Sequence, residues 1–269
     1  LGIWWGMNMK SKKNIVFMFN IKVNNSKLDG DRWLDNRSDP YTYSVKSWQK
    51  WCDKNNAELF VIDELLLPNE EMAIPWQKFY IFDILEANEI EYDQIMYVDA
   101  DTIVHPDCPN VFDMTDGKYT FVHNEGSYDW ILRSMENYSK YFFDGYMFDW
   151  WHYYNAGLEI YSDKHKDFAK KIIKFYNDNK QNLMEIERTF HGGTVQTPVN
   201  FLIHLEKIDY KLLPYEYNMA DMDRKEILRE DLAFTKCGWV YHFSGIPNNK
   251  NNSLTYYWMK KTYENLYGN

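Results

Sequence analysis

The sequence predicts an α/β fold, a single domain with a mostly parallel sheet covered by helices on both faces. Short apolar segments alternate with amphipathic helical segments over residues 14–98, in the order β-α-β-α-β. The 269 residues are enough for one large core, and no internal repeat or low-complexity linker divides them. Ligands of such folds bind beyond the carboxyl ends of the strands.

The elements of the first half follow from hydrophobic periodicity. Three apolar segments are predicted as strands: Asn14 to Phe19, Ala57 to Ile62 and Gln94 to Val98. Between the first two, four residues recur at helical spacing: Tyr41, Val45, Trp48 and Cys52. A second helix begins near Pro75 and carries Ile81, Phe82 and Leu85. The third strand runs out at Asp99.

Beyond Val104 the pattern weakens, so mixed strand directions and a long loop-rich stretch are expected. Strands are predicted at three places: Tyr119 to His123, Gly157 to Tyr161 and Trp239 to Phe243. Helices are predicted at two places: around Phe168, Ile172 and Phe175, and from about Pro198 to Leu205.

The predicted organisation has three parts: an amino-terminal extension of residues 1–13, the domain over residues 14–250, and a helical tail over residues 251–269. In the tail, Ser253 to Tyr267 reads as an aromatic helix with Lys260 and Lys261. Packing onto the domain is favoured over weak peripheral contact with a membrane surface.

Composition excludes several classes of function. The net charge of -10 and the pI near 5.2 argue against nucleic acid as a partner. An acidic protein that binds a diphosphate needs a cation to bridge the like charges. The three cysteines fit neither a disulfide framework nor a metal-binding cysteine pair; they are Cys52, Cys108 and Cys237. No apolar run is long enough for a transmembrane segment. A cytoplasmic location is therefore expected.

The most informative motif lies where the third strand ends. Asp99 and Asp101 are separated by Ala100 and can direct hard oxygen ligands at one divalent cation. The alternative for an isolated pair is a turn in which each carboxylate caps the local backbone.

Five further segments, in this order, resemble those of nucleotide-sugar glycosyltransferases with the Rossmann-like GT-A fold, in particular families 8 and 34. They are Pro75 to Lys78, Tyr154 to Ile160, Gln196 to Asn200, Leu213 to Asn218, and His242 to Gly245 with Lys250 downstream. With the Asp99–Asp101 motif, the resemblance spans roughly Asn14 to Gly245. It implies transfer of a sugar from a nucleoside diphosphate sugar, with UDP as the first choice and GDP-mannose as the second, to a glycan or other hydroxyl acceptor.

The resemblance also implies roles for individual residues. Asp99, Asp101 and His242 are the metal ligands, and two oxygens with one nitrogen suit Mn²⁺ better than Mg²⁺. The donor-binding set adds four residues to the aspartates: Asn20, Ala100, Gly245 and Lys250. The catalytic candidates are Lys78, Asn155 and Gln196. Without the resemblance, Lys78 reads equally well as a solvated lysine, and a core histidine is the favoured interpretation of His242.

Stereochemistry depends on which group acts on the sugar. Asn155 and Gln196 are uncharged, so neither can serve as a general base. A glutamine facing the reacting carbon resembles the retaining members of family 8, which favours retention. Four aspartates in loop-rich segments are alternative bases, although solvated surface positions are favoured for them: Asp129, Asp144, Asp149 and Asp221.

Two other functions compete with the transferase. Asp99 to Ile103 approximates the motif of haloacid dehalogenase-type phosphatases, in which the first Asp is a nucleophile. That motif normally ends the first strand, whereas here it ends the third. A non-catalytic carbohydrate-binding protein would instead use aromatic rings such as Trp130, Trp150 and Trp151 as stacking platforms.

Overall fold

Two β-sheets organise the chain in the computed structural model, which describes residues 12–21, 41–124, 126–190, 195–220, 222, 227–246 and 253–268. The larger sheet has the strand order β2-β1-β3-β6-β5-β7. Its strands are β1 (Lys13–Phe19), β2 (Ala57–Ile62), β3 (Tyr92–Val98), β5 (Tyr119–His123), β6 (Tyr154–Ser162) and β7 (Tyr210–Leu213). The smaller sheet pairs β4 (Thr102–Val104) with β8 (Val240–His242).

Strand directions in the larger sheet confirm the predicted, mostly parallel architecture. β1 runs parallel to β2 and β3, and β5 runs parallel to β7. β6 lies between β3 and β5 and is antiparallel to both, so mixed directions do occur in the second half. The carboxyl ends of β1, β3 and β5 therefore share one edge of the sheet with the start of β6. We call it the carboxyl edge.

Helices cover both faces of this sheet. They are α1 (Thr42–Lys54), α2 (Ile74–Gln77), α3 (Ile81–Ala87), α4 (Tyr128–Phe142), α5 (Lys166–Phe190), α6 (Gln196–Leu205) and α7 (Ser253–Tyr267). The side chains of β1 alternate between two apolar cores, with Ile15 and Phe17 in one and Val16 and Met18 in the other. Burial on both faces explains why β1 and β3 read as continuous apolar runs.

The helix predicted near Pro75 is divided into shorter pieces. A 3₁₀ turn over Lys78–Tyr80 separates α2 from α3. The division falls where the consecutive residues Lys78 and Phe79 are both buried. The tighter turn therefore lies at a position where two neighbouring side chains face the interior.

Three elements are absent from the sequence prediction. α4 occupies part of the stretch expected to be loop-rich: Ser127 caps its start by accepting from the Trp130 N–H at 3.3 Å, and Ile131, Met135 and Tyr138 are buried at helical spacing. Exposed aromatic residues within α4 obscure this periodicity. β4 and β7 have only three and four residues, too few for alternation to identify them.

The smaller sheet is held against the domain by α1 and α7. The Tyr267 hydroxyl of α7 donates to the Val104 carbonyl at 2.7 Å, and Tyr263 stacks on Tyr267. Packing of the predicted terminal helix onto the domain is thus confirmed. None of the helices that the structure describes combines the length and the apolar character that a membrane-spanning helix needs.

Candidate functional site

Asp99 and Asp101 lie in a turn between β3 and β4 at the carboxyl edge. The Asp99 N–H donates to the Gly157 carbonyl of β6 at 2.9 Å, so the turn is anchored to the neighbouring strand. The Thr102 hydroxyl donates to the Asp99 carbonyl at 2.7 Å and accepts from the indole N–H of Trp48 at 2.9 Å. Both carboxylates stay partly open to solvent, with 34% and 20% of their side chains exposed.

His242 joins the two aspartates because β8 pairs with β4. Thr102 and His242 are register partners in this antiparallel pair, and the Phe243 N–H donates to the Asp101 carbonyl at 2.9 Å. Nε2 of His242 lies 3.1 Å from Asp101 Oδ1 and 3.5 Å from Asp99 Oδ2. The structure therefore brings together the three residues predicted as metal ligands.

The donor set of this triad fits a divalent cation. One ligand atom from each residue lies within 4.8 Å of the others. Adjacent ligands of an octahedral ion with bonds of about 2.1 Å stand about 3 Å apart, close to the separation of Nε2 from Asp101. Carboxylate oxygens with one imidazole nitrogen suit Mn²⁺. The same distances also suit a protonated imidazole, in which case Nε2 carries a proton in place of a cation.

A glycine allows His242 to reach this position. A Cβ on Gly157 would lie 2.4 and 2.6 Å from the Cε1 and Nδ1 atoms of His242. Such distances are far inside van der Waals contact, so the ring packs directly on the main chain of β6. The glycine of the Asn155-Ala156-Gly157 segment is required here for close approach and not for a turn.

Asn155 is held beside the triad by the same segment. Its Oδ1 accepts from the Gly157 N–H at 2.9 Å and from the side-chain amide of Asn218 at 2.8 Å. The Oδ1 of Asn218 in turn lies 3.0 Å from Nδ1 of His242. Asn155 is thus linked to His242 through Asn218, and its contact with a donor sugar stays a prediction.

Lys78 is buried beneath the triad, so its interpretation as a solvated lysine is wrong. Only 2% of its surface is exposed, and it forms an ion pair with Glu159 of β6, which is fully buried. Its Nζ also donates to the Ala156 carbonyl at 3.1 Å and lies 4.2 Å from the centre of the Tyr97 ring. The Tyr97 hydroxyl donates to Asp99. Contact of Lys78 with a donor stays a prediction.

Burial and the neighbouring charged groups shift the pKa of Asp99 in opposite directions. Removal from water raises the pKa of Asp99, while His242 lowers it. The negative charge of Asp101 raises this pKa further, and the positive charge of Lys78 lowers it. The net shift is upward. A divalent cation would relieve the repulsion between the two carboxylates.

Gln196 lies at the first turn of α6, next to the same strand. Its Oε1 accepts from the Ala156 N–H at 3.0 Å, and its Nε2 faces the Tyr153 hydroxyl at 3.4 Å. Asn200, one turn later, bonds to both main-chain groups of Tyr154. These contacts fix the start of α6 against the carboxyl edge, with the Gln196 side chain half-buried.

The other predicted donor-binding residues lie around this edge or outside the described residues. Asn20 follows β1, and its N–H donates to the Ile62 carbonyl at 2.8 Å. Ala100 is half-buried between the aspartates. Gly245 adopts φ +71° in the turn after β8, a conformation that favours glycine. Lys250 lies outside the described residues.

The candidate bases lie on the surface where the structure describes them. The prediction that Asp129 belongs to a loop is wrong, because it stands in the first turn of α4 and pairs with Arg133 at 2.8 Å. Asp144 is exposed in a turn, and Asp149 accepts from the Trp151 N–H at 3.1 Å to cap a 3₁₀ turn over Trp150–His152. Asp221 lies outside the described residues.

Sequence reasoning missed three side chains that support the site: Asn218, Glu159 and Tyr97. Glu159 had a usable signal, because a charged residue inside an apolar strand needs a buried partner. Asn218 belongs to a segment recognised by its resemblance, but no pattern linked it to His242. Tyr97 reads as one more apolar residue of a buried strand.

The comparisons with known proteins support the fold. No family model and no curated protein sequence matches the chain. The structure is similar to a glycosyltransferase involved in glycosylation of the major capsid of PBCV-1, with a TM-score of 0.58, 12% identity, and coverage of 92% of this chain and 98% of that one. The predicted GT-A fold is thereby confirmed.

Two further solved structures are less similar. The galactosyltransferase LgtC, solved with donor and acceptor sugar analogues, has a TM-score of 0.47 and 11% identity, with coverage of 94% of this chain and 96% of that one. The glycosyltransferase GlyE of Streptococcus pneumoniae TIGR4 has a TM-score of 0.46 and 16% identity, with coverage of 93% and 61%.

Substitution Gly157→Ala is expected to destabilise the fold by about 1–3 kcal/mol, because the new methyl group overlaps the His242 ring. The cost should become smaller in a His242→Ala background, which removes the overlapping atoms. Free energies of unfolding of the two single variants and the double variant measure this coupling. Additive effects would show that the ring does not pack on Gly157.

Substitution of either member of the buried ion pair, Lys78→Met or Glu159→Leu, is expected to cost about 3–5 kcal/mol, since each leaves a buried charge without its partner. The double variant should lose less than the sum of the two. Denaturant unfolding of all three variants is the measurement. A double variant as unstable as the sum would contradict a direct pair.

Proposed function

We propose that this protein is a metal-dependent glycosyltransferase, a hexosyl- or pentosyltransferase that uses a nucleoside diphosphate sugar. UDP is the first choice of nucleotide and GDP the second. The observation that carries the proposal is the cluster of Asp99, Asp101 and His242 at the carboxyl edge of a GT-A sheet. In α/β folds this edge is where ligands bind, and an acidic protein needs a cation there to accept a diphosphate.

The triad would hold Mn²⁺, with Mg²⁺ as the second choice. When bound, the ion supplies Lewis-acid stabilisation of the departing nucleoside diphosphate. The protein orients its own ligands: Tyr97 donates to Asp99, and Asn218 bonds to the far side of the His242 ring. Lys78 adds a buried positive charge below Asp99. These contacts keep the charged groups in place before a donor binds.

The sugar-facing chemistry is assigned to neutral amides. Gln196 is half-buried, with its Oε1 held by the Ala156 N–H and its Nε2 free to donate towards a substrate oxygen as well as towards Tyr153. Neither Gln196 nor Asn155 can accept a proton as a base. A site of this kind stabilises charge by hydrogen bonding and suits transfer with retention.

A glycan acceptor is supported by an aromatic cluster at the same edge, formed by His123, Tyr128, Trp150 and Trp151. The ring centres lie 4.6 Å apart for His123 and Trp151, 5.2 Å for the two tryptophans, and 4.6 Å for Tyr128 and Trp150. Trp151 is 56% exposed. An exposed indole beside polar groups offers a flat apolar face to a sugar ring.

The same features bear on the competing functions. A phosphatase of the haloacid dehalogenase type needs a later acidic pair, whereas among the described residues the group that completes the carboxylate cluster is His242. A carbohydrate binder accounts for the aromatic cluster but not for the triad. Trp130 is not part of that cluster, because its ring faces the buried Tyr153, at 6.4 Å between ring centres. A cytoplasmic location and contact of α7 with a membrane surface stay predictions.

Substitution Asp101→Asn is expected to abolish stabilisation by a nucleoside diphosphate with Mn²⁺, because the cation loses a charged ligand. Thermal-shift titrations with UDP, GDP, dTDP and CMP, each with and without Mn²⁺, give the measurement. Wild type at about 100 times the dissociation constant gains about 2.7 kcal/mol. Asp93→Asn, an exposed aspartate near the start of β3, is the control and should behave as wild type.

Two results would count against the proposal. An Asp101→Asn variant with the full Mn²⁺-dependent shift would remove the metal site from the proposal. A wild-type protein that responds to no nucleotide with Mn²⁺ would favour the phosphatase or the carbohydrate binder.

Substitution Trp151→Ala is expected to weaken binding to acceptor glycans about tenfold or more, because the exposed indole is lost. The nucleotide-dependent thermal shift should change little, because Trp151 belongs to the aromatic cluster and not to the triad. A glycan array compares wild type, this variant and Tyr141→Ala. Tyr141 on α4 is the matched control, since it is 54% exposed but lies outside the aromatic cluster. Equal loss in both variants would indicate non-specific contact, and no capture by wild type would contradict a glycan acceptor.

A further inference from the structure

Asn218 is a fully buried amide whose side chain contacts the His242 ring on the side away from the aspartates. It follows a 3₁₀ turn over Tyr215–Tyr217. The main chain beside it is fixed against β8, because the Met219 N–H donates to the Val240 carbonyl at 2.8 Å and the His242 N–H donates to the Met219 carbonyl at 2.9 Å. Backbone pairing therefore places the Asn218 side chain next to the imidazole of His242.

The orientation of the two amides follows from one backbone donor. The Gly157 N–H can only donate, so the Asn155 atom 2.9 Å away is the acceptor Oδ1. The Asn218 atom 2.8 Å from this same oxygen must then be a donor, the amide nitrogen. The remaining polar atom of Asn218 is its Oδ1, and this atom faces His242.

The orientation of Asn218 determines which nitrogen of His242 carries a hydrogen. Its Oδ1 lies 3.0 Å from Nδ1 and can only accept, so Nδ1 must donate. In a neutral imidazole the other nitrogen then has a free lone pair. That nitrogen, Nε2, is the one directed at Asp101 and Asp99. A cation ligand needs this lone pair.

The two carboxylates by themselves favour the opposite arrangement. Both can only accept when ionised, and Asp101 Oδ1 lies 3.1 Å from Nε2, so alone they would hold a hydrogen on Nε2. A histidine with a hydrogen on Nε2 cannot bind a cation through that atom. Asn218 opposes this preference from the other side of the ring.

We propose that Asn218 is a positioning residue for the cation site: through a chain from Gly157 and Asn155, it fixes the tautomer of His242 that presents the Nε2 lone pair to Asp99 and Asp101. The inference rests on the metal site of the proposed function and adds a residue to it. Removal of such an outer partner typically weakens metal binding about 10- to 100-fold.

Three variants separate this role from simple packing. Asn218→Leu keeps the approximate volume but loses the acceptor, whereas Asn218→Asp keeps an acceptor for Nδ1 and loses the donor to Asn155. Asn200→Leu is the matched control, because Asn200 is equally buried and bonds to the main chain of Tyr154 and Gln196 but not to His242. Thermal unfolding of each variant measures its general destabilisation.

The first readout is the tautomer, measured by ¹⁵N NMR of histidine-labelled protein without metal or nucleotide. The spectrum is recorded at alkaline pH, where imidazoles are neutral, and His242→Gln assigns the signal. We expect the hydrogen on Nδ1 in wild type, Asn218→Asp and Asn200→Leu, and on Nε2 in Asn218→Leu. Wild-type protein with the hydrogen on Nε2 would overturn the proposal even if no variant folds.

The second readout is the affinity for Mn²⁺ in the presence of UDP, from the electron paramagnetic resonance signal of free Mn²⁺. We expect a loss of about 10- to 100-fold for Asn218→Leu and a smaller loss for Asn218→Asp and Asn200→Leu. Equal affinity of Asn218→Leu and wild type would overturn the proposal. Failure of wild type to bind Mn²⁺ with UDP and also with GDP would contradict the proposed function, whereas the tautomer measurement would stand independently.

Discussion

The His242 ring packs directly on the main chain of Gly157, and this contact joins the parts of the chain that form the site. Gly157 belongs to β6, and its carbonyl also accepts a hydrogen bond from the Asp99 N–H at the end of β3. His242 ends β8, which is paired with β4 immediately after Asp101. One residue without a side chain therefore sets the distance between the larger sheet, the aspartate turn and the smaller sheet.

Charge is arranged in layers around this contact. Two carboxylates lie at the carboxyl edge, and the buried pair of Lys78 and Glu159 lies beneath them. Tyr97 connects the layers, since its hydroxyl donates to Asp99 and its ring lies next to the Lys78 ammonium. The protein has a net charge of -10, and the two carboxylates add a local excess of negative charge. A site of this kind must bind a cation before it can accept a phosphate group. The proposed use of a nucleoside diphosphate sugar depends on this order.

The carboxyl edge also divides into two regions. The ends of β1 and β3 carry Asn20 and the aspartates, whereas the end of β5 and the start of β6 lie beside Gln196 and the aromatic cluster. Because β6 is antiparallel to its neighbours, its first residues reach this edge instead of its last ones. The proposed donor and acceptor, if bound in these two regions, would meet near the triad.

Periodicity in the sequence was sufficient to predict the α/β class, the parallel first half and the end of the third strand at Asp99, and the approach of His242 to the aspartates followed from the resemblance to a known family. These features depend on local residue patterns or on a recognisable order of short segments. The burial of Lys78 against Glu159 and the chain from Gly157 through Asn218 to His242 were decided only by the tertiary structure. The physical reason is that a contact between side chains from distant strands depends on strand register and main-chain separation, and neither leaves a periodic signal in the sequence.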